Sequence, residues 1–249
     1  MPELSPDSDA VYQIEATEQP EATVIAGFSQ YGLAGLAAVD FLVDHLDLEQ
    51  TGFIRADGLP TITPFENGRP RQPTRLYSRD DLDVTVLVGE LAVPVSMAQP
   101  FSEAILDWTE EADVDELAVL SGVPVPHGPD DHRTFYVATD DYREKRFGDD
   151  SPVPPMGAGF LDGTNGSLVS RGMDSPMGVC VYVTPVHDQV PDVEATIRLL
   201  DSLESVYGLG VDTAPLRSFA DQVQQYYQNL AERLESERAE EQPLDRMYM

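Results

Sequence analysis

The stretch from Ala22 to Leu48, ATVIAGFSQYGLAGLAAVDFLVDHLDL, limits most strongly what this chain can become. Thr23 to Phe28 is a short apolar run rich in β-branched residues; it is too short for a globular helix and reads as a buried strand. From Leu33 the period changes. Leu33, Leu36, Ala37, Val39, Phe41, Leu42 and Leu46 recur at the three- and four-residue spacing of a buried helix face. Gly27, Gly32 and Gly35 punctuate the turn between the two. A strand, a glycine-rich turn and a helix form the first half of a βαβ unit. The rest of the chain is therefore expected to add to a mostly parallel central sheet flanked by helices, an α/β fold.

The same turn invites a phosphate-binding reading, because backbone N–H groups at a helix N-terminus attract anions. The dinucleotide fingerprint needs G-x-G-x-x-G, and the P-loop needs Lys and Ser/Thr after its last glycine. Here Leu33 and Ala34 follow Gly32. The glycines are expected to permit a tight turn and close helix–sheet packing, with Gly27, Gly32 and Gly35 as a weaker candidate ligand pocket. Without a P-loop lysine, no ATP hydrolysis is expected.

The charge balance sets the chain's surroundings. Asp and Glu number 45 against 15 Lys and Arg, a formal net charge of −30, and Lys145 is the only lysine. The acids are spread along the chain. Such a surface suits concentrated salt, where screening quenches the self-repulsion that opposes compaction, so a halophilic host is expected. It also argues against nucleic acid as a partner, whose phosphates it repels. No apolar run is long enough to span a bilayer, and MPELSPDSDAV lacks the basic and apolar regions of a signal peptide. A soluble, cytoplasmic protein is the expectation. Cys180 is the only cysteine, which excludes an internal disulfide.

Along the chain, further strands are expected around Val11–Ile14 (at an edge), Thr51–Ala56, Leu76–Tyr77, Val84–Gly89, Leu117–Leu120, Thr134–Thr139 and Gly178–Thr184, with a loop or small hairpin over Gly58–Arg75. Pro100–Ala112 is amphipathic, with Phe101, Ile105, Leu106 and Trp108 inward; Asp140–Phe147 reads as a short charged helix. Met156–Arg171 is a second glycine-punctuated stretch. Asp192–Tyr207 reads as a helix with Asp192 as N-cap and Gly208 past its end. A last helix is expected from Pro215 to about Ala239, with Leu216, Phe219, Val223, Tyr226, Leu230 and Leu234 on one stripe; it faces either the core or another subunit. Pro243 ends it. The expected organisation is an α/β domain over 1–212, a C-terminal helix over 213–242 and a free tail over 243–249.

Catalytic constellations are scarce. His127 and His132 flank an acidic loop that could in principle hold a divalent metal, but the acids fit the general surplus and no metal site is expected. His45 suits a helix surface, and His187-Asp188 follows a strand whose C-terminal end is where α/β folds keep their sites. Cys180 lies in an apolar run and reads as an inert core thiol. No catalytic residue is assigned. A rival reading is a phosphorylase- or hydrolase-like enzyme, or a non-catalytic sensor, holding a small nucleoside-type ligand near Gly27–Gly35 with Glu90, Asn165 and His187.

The terminal Met247-Tyr248-Met249 stands out, because an exposed apolar end on so acidic a chain needs a core pocket or a partner. Together with GFSQYGLAGLAAVDFLVDHL, TGFIRADGLP, VTVLVGE and GFLDGTNGSLV in that order, it gives a chain that resembles the archaeal branch of the proteasome assembly chaperone 2 family over most of residues 20 to 230. Met247, Tyr248 and Met249 are similar to the hydrophobic–tyrosine–any-residue motif by which proteasome activators and archaeal assembly chaperones dock on the core particle. The resemblance implies a nucleoside-phosphorylase-like α/β domain, a homo-oligomer, no cofactor, and binding to proteasome α subunits as an ATP-independent chaperone or activator.

Removing salt lengthens the Debye length from about 3 Å at 1 M to about 30 Å at 0.01 M. Dissociation or partial unfolding in dilute buffer is expected, read by light scattering and circular dichroism. Unchanged mass and spectrum from molar to millimolar salt would contradict the halophilic reading.

Overall fold

The computed structural model describes residues 12–56, 62–125, 128, 131–148, 150–187 and 191–220. Among the described residues up to Val211, the elements follow in the order β1 (Tyr12–Ala16), β2 (Thr23–Phe28), α1 (Ala34–His45), β3 (Glu49–Ala56), β4 (Phe65–Glu66), β5 (Arg69–Pro70), β6 (Thr74–Ser78), β7 (Val84–Gly89), α2 (Val95–Glu111), β8 (Glu116–Val123), β9 (Phe135–Ala138), α3 (Asp140–Arg146), α4 (Gly163–Gly172), β10 (Gly178–Pro185) and α5 (Val193–Tyr207). Eight strands make one sheet in the order β1-β3-β6-β7-β2-β8-β10-β9, and β4 and β5 form a small hairpin. The central four, β7-β2-β8-β10, are parallel. The flanks are antiparallel: β1 on β3, β3 on β6, β6 on β7, and β9 on β10.

This is the expected α/β fold, with the parallel arrangement confined to the centre. Completely buried runs mark β2, β7 and β10, as a strand covered on both faces requires. Side chains alternate between two cores. Val24, Ala26 and Phe28 of β2 face α2 and α4, packing with Phe101, Ile105 and Leu168. Gly27 faces the other way, against α1, which packs beside α5.

The glycines of the opening unit act by clearance. A Cβ on Gly27 would lie 2.2 Å from the Gly35 carbonyl oxygen and 2.6 Å from Val39 Cγ2. One on Gly35 would lie 2.0 Å from the Leu120 carbonyl oxygen of β8. Helix α1 thus rests directly on two strand backbones. Gly32 and Leu33 both take left-handed conformations, at φ +66° and +52°, so the helix starts at Ala34. That shifts the buried stripe. Ala34, Gly35, Ala38, Val39 and Leu42 face inward, whereas Leu33, expected in the core, is exposed.

Elsewhere the boundaries move by local chemistry. Helix α2 begins at Val95, five residues before the expected start, and carries Pro100 in its second turn. The glycine-rich 156–171 stretch contains a helix, α4. Asp192 caps α5 by accepting from the Ala195 N–H at 2.9 Å, and Gly208 closes it at φ +63°, both as expected. At the N-terminal end of the parallel strands, the fully buried Glu116 carboxylate accepts from Arg146 Nε at 2.9 Å and from Thr23 Oγ1 at 2.8 Å. That pairing holds α3 against the sheet; removing one partner of a buried pair is strongly destabilising.

Residues through Val211 belong to one compact unit, and those from Asp212 to a second. Within the second, residues 214–220 are helical, with Pro215 in the first turn. Most of the expected terminal stripe, from Val223 on, lies outside the described residues.

Gly27→Ala is expected to lower unfolding free energy by more than about 3 kcal/mol, the upper range for overpacking. Gly159→Ala, where an added Cβ meets nothing within 4 Å, should change it by less than about 0.5 kcal/mol. Urea unfolding in molar KCl compares them, and equal effects would refute the clearance argument.

Candidate functional site

The connections leaving the parallel neighbours β2 and β7 run to opposite faces, to α1 on one and to α2 on the other. Adjacent parallel strands with that divergence open a crevice at their C-terminal ends, where ligands of α/β sheets bind. Here the crevice is a cavity of about 1310 Å³. Its walls come from the segments after β2 and β7, the ends of β8 and β10, the inner side of β9, and the glycine-rich approach to α4. Among the described lining residues two are charged, Arg143 and Asp162, and both are exposed. On a chain with 24% charged residues, so neutral a lining is distinctive.

At its polar centre three side chains from three elements interlock. Asn165 Nδ2 donates to Gln30 Oε1 at 2.9 Å and to Ser121 Oγ at 2.8 Å. Ser121 Oγ donates to Gln30 Oε1 at 2.8 Å, and Gln30 Nε2 makes a longer 3.4 Å bond to Asn165 Oδ1. Ser121 and Asn165 are buried and Gln30 half-buried. The rim is apolar and open: Tyr31, Leu33, Val95, Phe160 and Met173 are all exposed and all line the cavity.

The sequence-level candidates divide around this site. Gly32 and Asn165 line the cavity, whereas Gly27 and Gly35 are consumed by helix–sheet packing. Gln30 and Ser121 were missed, since a lone Gln in a turn and a lone Ser near a strand end carry no motif. Their only signal was position, directly after one strand and near the end of another.

Glu90 does not line the cavity. Its Oε1 accepts from Arg71 at 2.6 Å and from Arg75 at 3.3 Å. Arg75 is almost completely buried, with its guanidinium 5.6 Å from the Tyr77 ring. Asp40 of α1 belongs to the same charged group. Burial, then the nearby Glu90 charge, pushes its carboxyl up to about 6 against the pull of Arg75 and Arg71.

His187 pairs through Nδ1 with Asp192 Oδ2 at 3.0 Å, beside the α5 cap. The Asp192 N–H also donates to the Gly32 carbonyl at 3.0 Å, tying that cap to the glycine turn. Desolvation alone would raise the Asp192 carboxyl, but bonds from the Ala195 N–H and His187 outweigh it and hold it low. Asp188 lies outside the described residues. Cys180 is completely buried, and desolvation pushes its thiol well up, which keeps it protonated and unreactive. His45 stacks on Phe41, with ring centroids 5.0 Å apart. His132 is exposed and His127 lies outside the described residues; among those described, no group of three His, Cys, Asp or Glu is placed to hold a metal. The tail residues Met247, Tyr248 and Met249 also lie outside them. No helix among the described residues is long and apolar enough to cross a membrane.

The described body is a three-layer α/β fold with a cleft at the strand ends floored by neutral amides. Within that class, the PAC2 family model matches residues 24–231, and the chain belongs to the PAC2 family. It is similar to the uncharacterized protein MJ0106 of Methanocaldococcus jannaschii, 22% identical over 210 residues, covering 84% of this chain and 85% of that protein. Among solved structures it is similar to Pyrococcus furiosus PbaA, described as an archaeal homologue of proteasome-assembly chaperone. There the TM-score is 0.81 at 20% identity, covering 96% of this chain and 99% of that one. It is also similar to P. furiosus PbaB, described as an archaeal proteasome activator, with TM-score 0.73 at 19% identity over 88% and 98% of the two chains.

The raised Asp40 carboxyl has a defined pH signature. Stability from its protonated form is fully present below the ordinary value of 3.8 and is lost as pH rises through about 6. Asp40→Asn should therefore flatten the fall in melting temperature between pH 4 and pH 6.5, measured by scanning calorimetry in molar KCl. An unchanged slope would remove Asp40 from that group.

Proposed function

We propose that this protein binds proteasome α subunits and assists assembly of the core particle or opens its gate, acting in the cytoplasm as a homo-oligomer and without catalysis. The observation that carries the reading is membership of the PAC2 family in a chain bearing Met247-Tyr248-Met249. The descriptions of PbaA and PbaB, whose fold this chain shares, support it. So does the chemistry of the cleft: among the described residues Ser121 bonds to two amide side chains, and Cys180 is sealed in the core.

The docking element is Met247, Tyr248 and Met249, held on a helical extension over 213–242 and a short tether from 243. Met247 offers a flexible apolar group suited to a cleft between subunits. Tyr248 adds a broad apolar face with one directional hydroxyl. The carboxylate of Met249, ionised above about pH 3.5, pairs with a basic group at the pocket floor, a case of C-terminal carboxylate capture. Several copies on one oligomer engage a ring together, so weak individual tails gain through effective concentration.

Tyr248→Ala, or residues appended after Met249, should abolish binding to immobilised archaeal core particle in molar KCl while leaving melting temperature and oligomer mass unchanged. Retained binding would exclude the tail as the docking element. A lowered melting temperature with intact binding would mean that it packs on its own chain.

A further inference from the structure

The hydrogen bonds at the cleft floor leave a specific remainder. Gln30 Oε1 accepts twice, from Ser121 and from Asn165, so both its lone pairs are used. Asn165 Nδ2 donates twice, to Gln30 and to Ser121, so both its hydrogens are used. Exchanging O and N in one amide alone would set donor against donor or acceptor against acceptor, and exchanging both together only swaps which residue offers the donor, so one donor and one acceptor remain side by side in either case. What is left over is one N–H on Gln30 Nε2 and one lone pair on Asn165 Oδ1. These two atoms stand 3.4 Å apart, a donor beside an acceptor. Ser121 Oγ keeps one further lone pair, having accepted once and donated once.

We infer that this cleft is a small-molecule site for a neutral compound presenting a cis-amide edge, a C=O beside an N–H, as in a nucleobase, a lactam or a primary carboxamide. Such an edge places its oxygen on the Gln30 N–H and its own N–H on Asn165 Oδ1. An ordinary trans peptide group cannot do this, because its N–H and C=O point in opposite directions. A carboxylate or phosphate is disfavoured, because Asn165 Oδ1 would face it with an acceptor and Arg143, the one cation among the described lining residues, is exposed and paired with Asp140 at 3.5 Å. The body of the ligand meets apolar groups, Val123, Tyr136 and Met156 within the cleft and Leu33 and Phe160 at its mouth. A large, mostly apolar recess with a few converging polar groups is the usual form of a ligand site. Its volume of about 1310 Å³ admits a bicyclic ring with substituents.

The triad also pins α4 to the ends of β2 and β8, so a ligand seated on it touches both halves of the fold at once. Occupancy is therefore read from the native protein by the side-chain amide signals of Gln30 and Asn165.

Uracil, hypoxanthine and nicotinamide are titrated into the full chain in molar KCl, with 1,3-dimethyluracil as the probe that keeps ring and carbonyls but has no N–H. The expected result is that at least one of the first three shifts both side-chain amide signals, and that uracil binds at least about tenfold more tightly than its dimethyl analogue, since a site built to meet an N–H rejects the compound lacking it. The responding probe separates a nucleobase from a carboxamide source. Gln30→Met, which keeps length and removes the donor, should weaken that binding by about tenfold or more. If Gln30→Met fails to fold, the dimethyluracil comparison on the native protein decides. Equal binding of uracil and its dimethyl analogue, or no shift at Gln30 and Asn165 with any of the three, would overturn the assignment.

Discussion

The fold turns on the absence of two side chains. At Gly27 and Gly35, strand β2, helix α1 and strand β8 approach so closely that a single methyl group would overlap backbone oxygen. This contact sets the height of α1 above the sheet, and with it the start of the helix, the exposed Leu33 and the backbone that carries Gln30 to the cleft floor. Gly32 extends the same constraint outward, because its carbonyl accepts the Asp192 N–H and so ties the turn to the cap of α5. A protein interior packs densely enough that such clearances are not repaired by small movements elsewhere.

A second constraint comes from charge. With −30 formal charge, the chain buries few acids among its described residues. Glu116 is held by Arg146 and Thr23, and Glu90 by Arg71 and Arg75, while Asp40 responds to the same surroundings by holding its proton more tightly. The cleft breaks this pattern. It gathers exposed Tyr31, Val95, Phe160 and Met173 around a neutral floor, and an open apolar mouth on an acidic body is costly unless something occupies it.

Much of the body was legible in the sequence because the relevant signals are local. The buried run of β7, the cap and stop of α5 and the packing role of Gly27 and Gly35 follow from periodicity, capping and steric size, which a short window contains. Leu33 was misplaced because two successive left-handed residues delay the helix, a backbone choice that apolar spacing does not encode. The antiparallel flanks were not legible, since strand order depends on partners far apart in sequence. The cleft was half legible: Gly32 and Asn165 drew notice through glycine-rich stretches. Gln30 and Ser121 did not, because their meaning arises only when residues 91 and 135 positions apart in sequence are brought together. Glu90 looked available and is spent on two arginines.

The proposed division of labour gives partner docking to the tail and leaves the α/β body as a scaffold with its own cleft. Electron cryomicroscopy of the full chain mixed with archaeal core particle in molar KCl tests that division most directly. The account predicts density for Met247–Met249 in pockets between adjacent α subunits, with the body standing off the ring and its cleft mouth free. A complex in which the body's cleft rim contacts the α ring, with those pockets empty, would contradict it.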